Sequence, residues 1–186
     1  MKIFSSISEF NSTKKTIVTI GTFDGVHIGH QKIIEKLIQE SKSSDSESLI
    51  LTFFPHPRMV LHETSSIKLL NTINEKSSLL EKMGLDNLVI HPFDKEFSNL
   101  SAEEFVKTIL VDLFNVQKII IGYDHRFGKY RAANIENLIA FGEKYGFEVE
   151  QISAQEIDSV SVSSTRIRVA ITNGNMAVAN EFLGYD

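Results

Sequence analysis

Five short runs of β-type residues, at 16–20, 49–53, 87–90, 118–121 and 148–152, are separated by stretches with helical apolar spacing or helix caps. Strands that alternate with helices pair in parallel, because every connection must cross a face of the sheet, and such crossovers are right-handed. The expected fold is therefore α/β, a doubly wound five-stranded parallel sheet. In the order 3-2-1-4-5 the first and fourth strands are neighbours at the reversal point. Ligands of such sheets bind there, at the carboxyl ends of the strands.

The spacing predicts helices in between. Ile33, Ile34, Leu37 and Ile38 keep one face over 31–39. Thr72 with Glu75, and Ser101 with Glu104, have the spacing of capping boxes, the first opening a helix closed by Gly84 and the second a helix over 102–114. Further helices are expected over 134–145, stopped by Gly146, over 166–172, opened by Ser163-Ser164-Thr165 and stopped by Gly174, and over 176–183. Residues 1–15 read as an irregular lead-in with one short strand, and 41–48 (SKSSDSES) as a polar surface loop.

With 186 residues, 42% of them hydrophobic, the chain has enough apolar material for one domain over 1–186 with a sizeable core. A net charge of −5 gives no general attraction to nucleic acid or to an anionic membrane, so an anionic ligand must find local positive groups. Cysteine is absent, which excludes disulfides and thiolate metal sites. The N-terminus lacks the apolar core of a signal peptide and no run approaches membrane-spanning length. A cytoplasmic protein is the expectation, with oligomeric state left open.

The chemistry concentrates in Gly21-Thr22-Phe23-Asp24-Gly25-Val26-His27-Ile28-Gly29-His30, which joins the first strand to the first helix. Glycines let the backbone approach a ligand closely, and the free N–H groups of a helix's first turn attract an anion. His27 and His30 add donors that can carry charge. A second anion clamp is offered by Val162-Ser163-Ser164-Thr165-Arg166-Ile167-Arg168, with hydroxyls at a helix start and a guanidinium one turn in.

These residues resemble the nucleotidyltransferase superfamily that shares the H-x-G-H signature, here His27-Ile28-Gly29-His30. The longer string is similar to the FMN adenylyltransferase module of bacterial bifunctional riboflavin kinase/FAD synthetases, and the second motif resembles the S-S-T-x-I-R segment of that family. Phe54-Pro55-His56-Pro57 resembles its T-F-x-P-H-P segment, and the stretch from Gly122 to Gly128 resembles G-x-[DN]-x-x-F-G, with Asp124 at the position where some members carry Asn. The resemblance covers 16–183 and implies a Rossmann-like fold and adenylyl transfer from ATP to FMN, giving FAD and pyrophosphate with Mg²⁺. It assigns His27, His30 and Arg168 to catalysis. Gly21, Thr22, Phe23, Asp24, Gly29, Ser164 and Thr165 go to ATP, and Phe54, Pro55, His56, Pro57, Asp124 and Phe127 to the flavin. Family members continue into a riboflavin kinase domain where this chain stops at Leu183-Gly184-Tyr185-Asp186, so a truncated protein or a stand-alone adenylyltransferase is expected.

The residues leave alternatives open. Phe54 and Phe127 suit a core as well as a flavin, and Lys129 and Arg131 suit a solvated face. A paired-histidine metal site lacks a convincing third ligand. Three other functions compete: a related nucleotidyltransferase with another phosphorylated acceptor, a class I tRNA synthetase fragment, and a non-catalytic flavin or nucleotide binder. A dinucleotide dehydrogenase is disfavoured, because the first turn is not G-x-G-x-x-G.

Overall fold

The apolar alternation of the β-runs translates directly into a two-faced sheet. In the computed structural model, which describes residues 1–61, 67–122, 126–153 and 162–186, six strands lie in the order β1-β4-β3-β2-β5-β6. They are β1 (Lys2–Phe4), β2 (Thr16–Ile20), β3 (Glu47–Phe53), β4 (Asn87–His91), β5 (Val116–Gly122) and β6 (Glu148–Ile152). Every pairing is parallel. The count of five is thus corrected to six: the lead-in strand β1 joins the sheet edge, with Lys2 opposite Asn87. The other five strands keep the expected order, with the reversal between β2 and β5.

Successive strand residues point to opposite faces. Val18, Ile20, Leu49, Leu51, Val89, Ile119 and Ile121 pack on one side with Phe105, Leu110, Phe114 and Leu138 from two helices. Ile17, Ile50, Leu88 and Ile120 pack on the other against Ile34, Leu37 and Ile38 of α1 (Ile28–Ser43) and Leu80 of the helix Ile73–Met83. The central strand β2 is buried at all five positions. Its carboxyl end leads directly into the turn before α1.

The caps predict helix ends better than the apolar spacing does. Both expected capping boxes form, at Thr72/Glu75 and Ser101/Glu104. Asn134 caps the helix Ile135–Tyr145, and Gly84 and Gly146 close their helices in the left-handed conformation. The expected helix over 102–114 begins as α-helix and widens to a π-helix over Phe105–Leu113. Helix α1 starts earlier than its apolar spacing suggests, because His27 is its N-cap, and it ends later. The expected loop over 41–48 is therefore shorter. Ser41 donates back to the Ile38 carbonyl and Ser43 and Ser44 to that of Glu40, at 2.8–2.9 Å, so the serines finish the helix instead of breaking it. Among the described residues no helix is long and apolar enough to cross a membrane.

Candidate active site

The turn after β2 is strained and held at almost every carbonyl. Phe23 (φ 46°) and Val26 (φ 36°) lie in the left-handed region on either side of Gly25 (φ 85°). A β-branched residue there is a steric outlier, which persists only where surrounding structure over-determines it. The surroundings do so. Phe23 and Val26 are buried in the core against α1, and a Cβ on Gly25 would come within 2.6 Å of Leu70. The Thr22 carbonyl accepts from Lys76 Nζ at 2.6 Å and Thr52 Oγ1 at 3.2 Å. Asp24 accepts at its carbonyl from Ser164 Oγ (2.9 Å), Gly25 from the Tyr185 hydroxyl (2.6 Å) and Val26 from Gln31 Nε2 (2.8 Å). With its carbonyls fixed by other elements, the turn leads into α1, whose first N–H groups have no intrahelical acceptor.

The two histidines form one stacked unit at that helix start. Their ring centroids are 3.6 Å apart and 17° from parallel, and Phe23 meets His30 edge-on at 5.1 Å. His27 Nδ1 accepts from the His30 backbone N–H at 3.3 Å, so in the neutral ring the proton sits on Nε2. Burial pushes the His27 pKa down from 6.5 to about 4, with the Asp24 carboxylate opposing. Burial pushes His30 well below 6.5 too, aided by like charge from His27 and Lys76. Both rings are therefore neutral N–H donors at neutral pH. Among the described buried side-chain N and O atoms, His30 Nδ1 alone has no hydrogen-bond partner. Such an atom costs about 1–3 kcal/mol and calls for an explanation in function.

The His27 shift carries a stability expectation. Its folded pKa lies below the unfolded value, so the unfolded chain takes up the proton first on acidification. The contribution is complete above pH 6.5 and is lost as pH falls towards 4, amounting to about 3 kcal/mol. Thermal unfolding between pH 7 and 4 should show a steeper loss for the wild type than for His27→Asn, which keeps an N-cap acceptor but cannot titrate. Equal slopes would contradict the burial of His27.

Asp24 is the point where the two sequence motifs meet. It is 2% exposed. Its Oδ1 accepts from the Leu70 N–H at 2.8 Å and its Oδ2 pairs with the Arg168 guanidinium. Arg168 Nε also donates to the Lys68 carbonyl at 2.6 Å. Arg168 lies on the helix Ser164–Thr172, which Ser163 caps by accepting from the Arg166 N–H. The first turn, the segment around Lys68 to Leu70 and the helix Ser164–Thr172 are thus tied to one carboxylate. Arg168 keeps further donors of its fork for an anion. Thr165 is exposed on the first turn of the same helix.

The residues assigned to the flavin divide. Phe54 is 49% exposed, at the end of β3 before Pro55 and His56. His56 Nδ1 accepts from the Arg58 N–H at 3.1 Å. Burial lowers its pKa against the pull of Asp24, and Arg58, Arg168 and Lys76 lower it further. Pro57 opens a short helix, Pro57–Leu61, that the two prolines had hidden. Phe127 instead is buried, near Phe105 at 6.1 Å and bridged to Ala133. Its ring serves the core, so in this conformation it offers no free face for stacking. Lys129 is exposed, its ammonium 5.3 Å from the Tyr130 ring centroid. Asp124 lies outside the described residues.

Sequence reasoning missed Lys76, Gln31 and Tyr185. Gln31 Nε2 bridges the carbonyls of Val26 and Leu183, both at 2.8 Å, and Tyr185 links Gly25 to Asn71. These contacts join distant segments, which spacing cannot reveal. Lys76 did carry a signal, a charge on the inward face of a helix with Leu80.

Comparisons with known proteins place the chain in a family. A family model described as FAD synthetase matches residues 9–166. The bifunctional riboflavin kinase/FMN adenylyltransferase of Buchnera aphidicola subsp. Schizaphis graminum is 36% identical over 186 residues, 99% of this chain and 60% of that protein. The protein of the same name from Listeria monocytogenes is 35% identical over 170 residues, 91% of this chain and 54% of its own length. The chain thus spans 54–60% of these relatives. A crystal structure described as a macrolide-efflux protein from Streptococcus pneumoniae superposes with a TM-score of 0.87 at 25% identity, covering 99% of this chain and 60% of that one. The pantothenate synthetase of Thermus thermophilus, at a TM-score of 0.52 and 14% identity, shares the fold, covering 99% of this chain and 81% of that one. By sequence, this chain belongs to the FAD synthetase family.

Proposed function

We propose that this chain transfers the adenylyl group of ATP to FMN, giving FAD and pyrophosphate. A phosphate oxygen of FMN attacks the α-phosphorus, the bond from that phosphorus to the oxygen bridging to the β-phosphate breaks, and pyrophosphate leaves with the electron pair. Such a reaction needs positioned donors and no covalent nucleophile. The observation that carries the reading is the meeting of the H-x-G-H turn and the Ser163–Arg168 motif on Asp24. This juxtaposition supports a phosphate site at the reversal point of the sheet, between the first N–H groups of α1, His27 Nε2–H and the remaining donors of Arg168. Approach of the triphosphate would raise the pKa of both histidines and so strengthen them as donors.

ATP and Mg²⁺ enter together as substrate. Among the described residues no group of three or more His, Cys, Asp or Glu could hold a metal, and the Asp24 carboxylate is engaged by Arg168 and Leu70. The triphosphate is therefore the expected source of most Mg²⁺ ligands, the remainder being water. On the flavin side, exposed Phe54 and neighbouring His56 support binding of the isoalloxazine at the carboxyl end of β3, where Met59 and Leu61 are exposed as well.

The test is product analysis by chromatography after mixing the protein with ATP, Mg²⁺ and FMN in the presence of pyrophosphatase. FAD is expected. Adenylylation of pantetheine phosphate or nicotinate mononucleotide in preference to FMN would replace this reading with a related transferase. Binding of ATP and FMN without turnover would leave a binder.

A further inference from the structure

Lys76 occupies a position where an amphipathic helix has no packing reason to carry a charge. On the helix Ile73–Met83 it faces inward with Leu80, and 5% of it is exposed. Its ammonium donates to the Thr22 carbonyl. That carbonyl has a second donor in Thr52 Oγ1, so the backbone acceptor would stay satisfied without Lys76. A buried ammonium set against a neutral carbonyl is less favourable than an apolar side chain of similar length. Stability alone does not account for it.

What the charge does reach is the candidate active site. Burial lowers the Lys76 pKa while Asp24 raises it, and Lys76 in turn acts on His30 and on His56. The titratable groups it acts on or feels come from three elements: Asp24 in the turn, His30 stacked on His27 at the start of α1, and His56 after β3. Asp24, the acid among them, is held by Arg168 and the Leu70 N–H. Its charge is shared, which leaves Lys76 short of a dedicated counter-ion.

We propose that Lys76 is a positioning residue of the adenylyl-transfer site: its buried ammonium, tied to the Thr22 carbonyl, fixes the strained turn and keeps a positive charge beside the place where the triphosphate binds. The inference rests on the transfer reading for its kinetic test only. It specifies a cost accepted in the free protein and recovered when an anion arrives, which is the usual relation between local strain and function.

Lys76→Met, Lys76→Gln and Lys76→Arg would be compared with the wild type by thermal unfolding, by NMR titration of the histidine Cε1–H signals without ligand, by calorimetry with MgATP alone, and by the kinetics of FAD formation. Lys76→Met is expected to keep or raise Tm, to let His30 take up its proton at higher pH, and to weaken MgATP binding by about tenfold, the effect of losing one charge-assisted interaction. Lys76→Gln keeps a donor for Thr22 without the charge and should follow Lys76→Met in the titration. Lys76→Arg keeps the charge and should retain the wild-type His30 midpoint. Unchanged His30 titration and MgATP affinity in Lys76→Met would overturn the proposal. So would loss of the folded state in all three variants, which would make Lys76 a packing residue. Weakened MgATP binding with no FAD formed even by the wild type would uphold the role of Lys76 while overturning the activity.

Discussion

His30→Ala is expected to lower kcat by about 10²–10³, equivalent to about 2.7–4 kcal/mol of transition-state stabilisation, while leaving the fold intact. The size follows from what the side chain does. His30 is neutral, stacked on His27 and edge-on to Phe23, with its Nδ1 buried and unpartnered. Truncation loses the ring contacts but, among the described residues, no side-chain hydrogen bond, so the loss of Tm should be small beside the loss of kcat. A residue held for packing would behave the other way, losing stability and little activity. Steady-state kinetics with saturating FMN and MgATP, together with thermal unfolding, separate the two. A fall in kcat of less than about threefold would remove His30 from the transition state.

Arg168→Ala is expected to damage both activity and stability, and the second effect is visible only in the folded chain. From the motif alone, Arg168 reads as a phosphate ligand whose loss affects turnover far more than folding. The structure shows a guanidinium that also neutralises a carboxylate 2% exposed. Removing one partner of a buried pair leaves an uncompensated charge and costs about 3 kcal/mol or more, a drop in Tm of roughly 10 °C for a chain of this size. The double variant Asp24→Asn/Arg168→Ala removes both charges and should recover most of that Tm. It should not recover FAD formation if Arg168 also binds the triphosphate. Recovery of both would reduce Arg168 to a partner of Asp24, and a single variant with wild-type Tm would contradict the pairing.

Much of this architecture was legible because local signals and the global fold agree. The β-runs at 16–20 and 148–152 form strands with those bounds, and the capping residues Thr72, Ser101 and Asn134 open their helices where expected. The lead-in strand was expected, but its pairing with β4 was not, since three residues carry no register information. The polar run at 41–48 misled because serine hydroxyls can bond back to helix carbonyls. His27, His30 and Asp24 stand in one string, so their closeness at the start of α1 is legible from the sequence. What stayed hidden was the partnership between Asp24 and Arg168, 144 residues apart in sequence. Spacing reports which side chains share a helix face or a strand face; it cannot report a contact made across the sheet's carboxyl edge. Phe127 shows the same limit from the other side, because an aromatic residue in a glycine-flanked loop suits a ligand and a core equally well until its burial is known.

The most direct test of adenylyl transfer follows the α-phosphorus itself. The protein would be incubated with FMN, Mg²⁺ and ATP labelled at the α-phosphate. The expected result is label in FAD, in equal amount to the pyrophosphate released. Label remaining in ATP while both nucleotides bind, or label passing to an acceptor other than FMN, would contradict the account.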